Sequence, residues 1–486
     1  MGIHFIDYVI FLLFTLGTII FGSSFIRKNK NVSDYTSGSG NIPGFVVGIS
    51  IFATYVSSIS FLALPGNAYL SNWNSFVFSL SIPIATFIAA KYFVPFYRNI
   101  DSISAYSFLE ERFGYWARAY AAICYLLTQI ARIGSVLFLL ALALHFMLGW
   151  NIPLIIIVTG LCVIIYSVLG GIKAVIWTDA IQGIILIIGA LVCAAILLFS
   201  VPGNIGEFIS VGREYNKFSL GSFGPETATA TFWITMIYGL FINLQNFGID
   251  QNYIQRYKSA KDLKSARSSA LFGGLLYLPV SFLFFVIGTA LFVYYKQESN
   301  FLAENITPDQ VFPYFIVNGL PIGVTGLLIA AIFSAGMSTI STSINSSATI
   351  ILTDFIERKK TIDEKRKMAI LYSTSLFLGI LGVGVALAMM SVKSALDAWW
   401  SMAAIFSGGM LGLFLLGYLS RRAKGKYALV GVIFGVTLIA WMSLSKQTVF
   451  HNYLTIVFGT ILIFVVGFSI SVFAGKGKIN EANKKD

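Results

Sequence analysis

A single arginine stands in the middle of a long apolar stretch of this 486-residue chain. Arg132 lies about fifteen residues from either end of the helix predicted over 117–148. A charge at the centre of such a segment costs at least ~2.5 kcal/mol, so the side chain must face a partner or a cavity. Two partners remain open: a carboxylate on another helix, with Asp179 the clearest candidate, or an anionic ligand that the planar guanidinium holds bidentately. We favour the anionic ligand.

Asp179 is the second residue whose type and position indicate chemistry. It lies about two helical turns from Lys173, inside another apolar segment. A carboxylate there can bind a cation, relay a proton or accept hydrogen bonds from neighbouring backbone, and its charge alone does not choose among these roles.

Hydroxyl groups are concentrated in the helix predicted over 322–354. Ser338, Ser341 and Thr342 share one face through their i, i+3 and i+4 spacing, and Thr339 lies between them. Neutral oxygen ligands suit a monovalent cation, whereas a divalent cation requires several carboxylates. The same hydroxyls suit close helix packing with hydrogen bonds to the preceding turn, and composition does not decide between the two.

The composition indicates that lipid rather than water surrounds most of the chain. Apolar residues make up 57% of it and charged residues 11%, and the mean hydropathy is +0.81. The net charge of +12 does not indicate nucleic-acid binding, because the basic residues lie in short loops between apolar segments. The sequence contains no G-x-x-x-x-G-K-[ST] motif for ATP, and no His/Cys cluster or nucleophile elbow. We therefore expect neither an ATP-driven pump nor an enzyme.

Thirteen transmembrane helices are predicted from apolar windows of about 19 residues. Of the 33 lysines and arginines, 26 fall in loops on one side of this arrangement and five in loops on the other. This bias predicts a plasma-membrane protein with its N-terminus outside and its C-terminus in the cytoplasm. The predicted ranges are 4–26, 42–70, 74–97, 117–148, 153–170, 173–199, 230–250, 268–295, 322–354, 368–391, 399–419, 427–445 and 450–474.

Ten of these helices form two groups of five with opposite orientation, which is the pattern of an inverted repeat. The leading helix of each group is predicted to be interrupted, at Pro65-Gly66 after the polar run 54–60 and at 243–248. Paired interruptions free backbone carbonyls near the membrane midplane, where they can bind a cation. The predicted units are an extra N-terminal helix at 1–30, a first repeat at 42–199, a second, inverted repeat at 230–420, two C-terminal helices at 427–475 and a tail at 476–486.

Two segments resemble the signatures of the sodium:solute symporter family. They are GGIKAVIWTDAIQG at 170–183 and AIFSAGMSTIST at 331–342. The segments FATYVSSISF at 52–61 and Arg-Ile-Gly beginning at Arg132 are most similar to the sialic acid branch of that family. The resemblance covers nearly the whole chain. It implies an all-α, five-plus-five (LeuT-like) transporter fold and sodium-driven alternating access.

The resemblance also implies site residues. A first sodium site would use the backbone carbonyls of Ala53, Val56 and Ala335 and the hydroxyls of Ser338 and Thr339. A second sodium site would share Ser338 and add Asp179, Ser341 and Thr342. Arg132 would hold the substrate carboxylate, and the other substrate positions would be Tyr55, Ser57, Ser58, Ser60, Ser79 and Asn243. Tyr55 and Ser79 depart from this pattern, because the resemblance predicts a threonine and a glutamine there.

We therefore expect a sodium-coupled symporter that imports a small carboxylated sugar, sialic acid (N-acetylneuraminic acid), with one or two sodium ions as the coupling ion. The alternatives are a sodium symporter for another small solute, such as proline, a sugar or another carboxylate, and a proton-coupled carrier that uses Asp179. The expected partners are the anionic substrate and the lipid bilayer, with no nucleic acid and no ATP, and we expect the protein to act as a monomer.

Overall fold

The computed structural model describes residues 3–201, 204–296, 306–358, 362–391, 407–445 and 449–482, and helices dominate all these parts of the chain. In chain order they are α1 (Phe5–Ser24), α2 (Val32–Ser37), α3 (Gly44–Tyr55), α4 (Ser58–Leu70), α5 (Trp73–Arg98), α6 (Ser107–Phe113), α7 (Tyr115–Leu148), α8 (Ile152–Ser200), α9 (Asn204–Glu214), α10 (Phe232–Ile249), α11 (Gln251–Ser259), α12 (Leu263–Lys296), α13 (Pro308–Asn318), α14 (Val324–Ile350), α15 (Glu364–Ala388), α16 (Met410–Leu419), α17 (Gly425–Leu444) and α18 (Leu454–Ala482).

Within the described residues, ten helices are long and apolar enough to cross a membrane, or eleven if the bent pair α3 and α4 counts as one broken span. Helix α8 has 49 residues, which corresponds to a length of about 74 Å, more than twice the ~30 Å hydrocarbon core. Gly171 divides it, with φ +56° and ψ −160°, a conformation open almost only to glycine. The predicted boundary between 153–170 and 173–199 is confirmed. Only the end of the helix predicted over 399–419 lies within the described residues, as α16.

Helix α14 occupies the centre of the molecule. In its most apolar window 89% of the residues are buried, compared with 28% in α1 and 33% in α15. The outer helices therefore face lipid, and α14, which carries the predicted hydroxyl ligands, is surrounded by protein.

The first interruption lies within the polar run rather than after it. Helix α3 ends at Tyr55, Val56 is extended, and the Ser57 hydroxyl accepts the Ser60 N–H at 3.4 Å to cap α4. The prediction of a break at Pro65-Gly66 was wrong, because Pro65 lies inside α4. Serine caps supply the hydrogen bonds that a helix end needs, whereas a membrane helix can absorb a proline through its neighbours.

The second interruption also differs from its prediction, but it lies later in the chain than predicted rather than earlier. The residues at 243–248 continue α10, and the chain is extended at Asp250, whose Oδ1 accepts the Asn252 N–H at 2.7 Å. Helix α11 follows. Its Arg256 is one of the 26 basic residues that the topology prediction places in loops, and this prediction was wrong for Arg256, which is fully buried within the helix.

Helix α2 packs against the break in α8. The ring of Tyr35 is fully buried and comes within 2.7 Å of where a Cβ on Gly171 would lie. Asp34 forms an ion pair with Lys173 just beyond that break. Between α2 and α3, the Ile42 N–H donates to the Ser259 carbonyl at 3.0 Å, which joins the start of α3 to the end of α11.

Candidate ion and substrate site

The two interrupted helices meet through a tyrosine and an asparagine. The Tyr55 hydroxyl donates to Oδ1 of Asn243, and Asn243 Nδ2 donates to Ser81 Oγ at 2.9 Å. The Tyr55 ring also stacks on Phe247, with the centroids 5.6 Å apart, and lies edge-on to Tyr277 at 4.5 Å. Tyr55 and Asn243, both predicted as substrate residues, are therefore brought together next to the first break.

Arg132 points into this region without an anionic partner. Its Nη2 makes a long contact of 3.5 Å with the Thr54 carbonyl, near the end of α3. Among the described residues, no carboxylate oxygen lies within 4.0 Å of the Arg132 nitrogens. The side chain is only partly buried. A guanidinium in these surroundings can accept an anion without first breaking an ion pair.

Asp179 has a partner that sequence reasoning missed. Its Oδ2 lies 2.6 Å from Arg256 Nη2, and neither side chain is exposed. Ser50 Oγ donates to the same oxygen at 2.9 Å, and Arg256 also donates to Thr342 Oγ1 at 2.7 Å. A buried Asp179 needs a counter-charge, and this need could have indicated a partner. The sequence does not single out Arg256 as that partner, because further basic residues follow it closely.

The proposed first sodium ligands lie in two contacting pairs. Ser338 Oγ donates to the Ala53 carbonyl at 3.3 Å across the α3–α14 interface. Thr339 Oγ1 donates to the Ala335 carbonyl at 3.0 Å within α14. Val56 lies in the break and is buried. The oxygens of Ala53 and Ser338 belong to different helices, so an ion held between them would join α3 to α14.

The proposed second sodium ligands share the neighbourhood of Asp179. Thr342 Oγ1 is 3.5 Å from Asp179 Oδ2, and Ser341 Oγ donates to the Ser338 carbonyl at 3.2 Å. Asp179 Oδ1 is buried and has no hydrogen-bond partner among the described residues. This free oxygen suits a cation, although the Arg256 charge lies beside it.

The predicted serines differ in how they are engaged. The Ser57 and Ser60 hydroxyls are 3.5 Å apart at the start of α4. Ser58 is fully buried and its Oγ has no partner within the described part of the chain. Ser79 forms a 2.7 Å hydrogen bond with Ser281 of α12, so its hydroxyl already has a protein partner.

A model of the sodium:solute symporter family matches residues 35–435 of this chain. The chain belongs to the sodium:solute symporter family. The prediction from the two signature segments is thus confirmed, and this family consists of sodium-coupled transporters rather than enzymes.

Among members of the sodium:solute symporter family, the chain is 35% identical over 459 residues to a sodium/sialic acid symporter, NanT, of Aliivibrio fischeri, covering 93% of this chain and 90% of that one. It is 33% identical to the sodium/sialic acid symporter SiaT of Proteus mirabilis, with 95% and 94% covered.

Solved structures agree with this family assignment. A substrate-bound, outward-open sodium-coupled sialic acid symporter matches with a TM-score of 0.92 and 31% identity, over 97% of this chain and 98% of that one. The nucleobase-cation symporter Mhp1 matches with a TM-score of 0.60 at 16% identity and shows the shared fold alone.

Proposed function

We propose that this symporter carries sialic acid, or a closely similar carboxylated sugar, into the cell together with sodium. One observation carries the proposal: Arg132 lies near the first helix break with no carboxylate within 4.0 Å among the described residues. The carboxylate of the solute would be the ion-pair partner that Arg132 lacks. The relatives that are named as sialic acid symporters support the sugar acid over other anions.

The coupling mechanism follows from the ligands that two helices share. Sodium arriving from outside binds between the Ala53 carbonyl on α3 and the Ser338 hydroxyl on α14, with Val56, Ala335 and Thr339 completing the first site. An ion there holds the two helices together and favours the state that is open to the outside. The solute then binds at Arg132, and the membrane potential, worth ~2.3 kcal/mol per charge per 100 mV, drives the loaded carrier inward.

A second sodium ion would bind at the free Oδ1 of Asp179, with Ser338, Ser341 and Thr342. Two sodium ions with one monoanion carry a net positive charge, whereas one sodium ion makes the cycle neutral. The Arg256 contact counts against the alternative of a proton carrier, because a proton on Asp179 would break the 2.6 Å ion pair and leave the buried guanidinium without a counter-charge.

The overall arrangement is also part of the proposal. Thirteen spans follow if the two halves of α8 count separately and α16 completes the span whose start lies outside the described residues. They form one extra N-terminal helix, two inverted five-helix repeats and two C-terminal helices. The N-terminus is outside the plasma membrane, the C-terminus is in the cytoplasm, and the carrier acts as a monomer.

Uptake into liposomes tests the function. Purified protein is reconstituted, and uptake of labelled N-acetylneuraminic acid is followed under an inward sodium gradient and under a matched potassium gradient. Uptake only with sodium is expected. It should be abolished in Arg132→Ala and strongly reduced in Arg132→Lys, which keeps the charge but not the bidentate geometry.

Arg213→Ala is the matched control, because this arginine is exposed on α9, and its removal should leave uptake unchanged. If folded wild-type protein shows no sodium-dependent uptake of the sugar acid, the sialic acid assignment is wrong, and other small carboxylates become the candidates.

A further inference from the structure

Asp250 is a carboxylate within the proposed membrane region. It belongs to neither of the proposed sodium sites and is not among the substrate residues predicted from the sequence. It stands between α10 and α11, and its Oδ1 accepts the Asn252 N–H. Its side chain is partly exposed, although the adjacent residues Ile249 and Gln251 are buried. A partly exposed carboxylate inside a membrane bundle normally faces a water-filled cavity or a ligand path.

The hydrogen bonds around Asn252 fix which residue Asp250 faces. Tyr125 of α7 donates to Asn252 Oδ1 at 2.9 Å, and Asn252 Nδ2 donates to Gln129 Oε1 at 3.4 Å. Under the proposed topology α7 runs outward and α10–α11 runs inward. From this contact, Arg132 lies three residues further outward on α7, and Asp250 lies two residues further outward on the second broken helix.

Arg132 and Asp250 thus lie on the same side of one contact between α7 and α11, each within a turn of it. No ion pair within 4.0 Å joins them in the described structure. Each charge therefore lacks an ion-pair partner among the described residues, and one solute that contacts both would supply it. Such a ligand must present an anion to one side and hydrogen-bond donors to the other.

We propose that Asp250 binds hydroxyl or amide N–H groups of the same solute whose carboxylate pairs with Arg132. This inference rests on the proposed function and makes its substrate class narrower. An ionised carboxylate can only accept hydrogen bonds, so it favours ligands with donors and repels a second anion. The site then selects acids that carry donor groups, such as sugar acids, over short acids that lack them.

Asp250→Asn separates this role from a structural one. Asparagine is as good a helix cap as aspartate, so the cap of α11 is kept while the charge is removed. Asp101→Asn, an exposed cytoplasmic residue, is the matched control and should change no binding constant.

Ligand-induced thermal stabilisation of the purified protein in sodium buffer is the measurement, with N-acetylneuraminic acid and pyruvate as the two probes. In Asp250→Asn, the binding constant for the sugar acid should weaken by about 10- to 100-fold, the range for hydrogen bonds to a charged group. Pyruvate should bind as before or more tightly, because a repelling charge is gone.

If the binding of N-acetylneuraminic acid and of pyruvate weakens by the same factor in Asp250→Asn, the proposal is overturned, because Asp250 would then act only by shaping the site. If wild type shows no sodium-dependent response to N-acetylneuraminic acid, the proposed function fails and this inference fails with it. If Asp250→Asn does not unfold cooperatively, Asp250→Glu decides: moving the charge by one methylene should reduce the preference for the sugar acid over pyruvate about tenfold, and an unchanged preference contradicts the proposal.

Discussion

Asp179 and Arg256 form a fully buried ion pair, with 2.6 Å between Oδ2 and Nη2 and no exposure of either side chain. The pair joins the second part of α8, after Gly171, to α11, which follows the second helix break. It also explains why Asp179, the clearest carboxylate candidate in the sequence, does not pair with Arg132.

Replacing Asp179 with asparagine leaves the Arg256 charge buried without its counter-ion. We expect the free energy of unfolding to fall by about 3–5 kcal/mol, which is typical when one member of a buried pair is removed. Denaturation of the purified protein measures this. The double variant Asp179→Asn with Arg256→Gln should recover most of the loss.

The same double variant separates stability from coupling. If Asp179 Oδ1 binds the second sodium ion, the sodium dependence of uptake should stay altered, through lower apparent affinity or changed stoichiometry, even where stability has returned. Wild-type sodium dependence in the stable double variant would remove Asp179 from the coupling mechanism.

The first sodium site can be tested through its hydroxyls. Ser338→Ala and Thr339→Ala should each raise the sodium concentration for half-maximal uptake by about tenfold, since each removes one oxygen ligand. Ser373→Ala is the control, because this exposed hydroxyl of α15 only bonds back to the Ala369 carbonyl at 2.8 Å. Equal effects of all three substitutions would argue against the site.

The contact between Tyr55 and Asn243 should matter for the solute more than for the ion. Tyr55→Phe removes the hydroxyl that holds Asn243 Oδ1, while Ser81 still accepts from Nδ2. We expect KM for the sugar acid to change about fivefold with little change in stability, consistent with the loss of one buried hydrogen bond. Measured uptake kinetics with an unchanged KM would show that this pair does not contact the solute.

Gly171 should tolerate no side chain. Gly171→Ala introduces an unfavourable conformation at φ +56° and a Cβ within 2.7 Å of the Tyr35 ring. Together these should lower the free energy of unfolding by about 2–4 kcal/mol. Gly17→Ala is the matched control, since no atom lies within 4 Å of its added Cβ, and it should be neutral or slightly stabilising. Thermal unfolding of the two variants compares them directly.

The ion pair of Asp34 and Lys173 predicts a pH dependence. Burial raises the pKa of Asp34, but the hydrogen bonds from Lys173, Ser39 and the Lys30 backbone outweigh it, so the pKa lies below its usual value. The stabilisation is therefore complete above pH ~4 and is lost as the pH falls below that value. Asp34→Asn should cost about 1 kcal/mol, equally at pH 5 and pH 7.5. If the difference in unfolding free energy between wild type and Asp34→Asn changes between pH 5 and pH 7.5, the assignment is contradicted.

The family and its helical transporter fold could be predicted from the sequence because they depend on residues that stand out locally, and the prediction of an anion site rests on such a residue as well. Arg132 is conspicuous in an apolar helix, and the two signature segments are contiguous. The pair of Asp179 and Arg256 was not predictable in this way, because the residues are 77 positions apart and Arg256 precedes a run of loop lysines.

The helix breaks were mislocated for a related reason. Proline and glycine attract attention as helix breakers, yet the breaks occur where the Ser57 and Asp250 side chains cap the following helix. In a crowded bundle, Pro65 is accommodated because Gly288 allows α12 to pack closely against it. Polar caps were therefore the better guide to these positions.

The hydrogen bond from the Ile42 N–H to the Ser259 carbonyl has a consequence for the transport cycle. It ties the start of α3 to the end of α11, which under the proposed topology are the cytoplasmic halves of the two interrupted helices. Any swing of α3 that opens a path to the cytoplasm carries α11 with it, as long as this bond persists. Sodium leaving from beside Ala53 and solute leaving from beside Asp250 would then be released by one motion rather than by two successive ones.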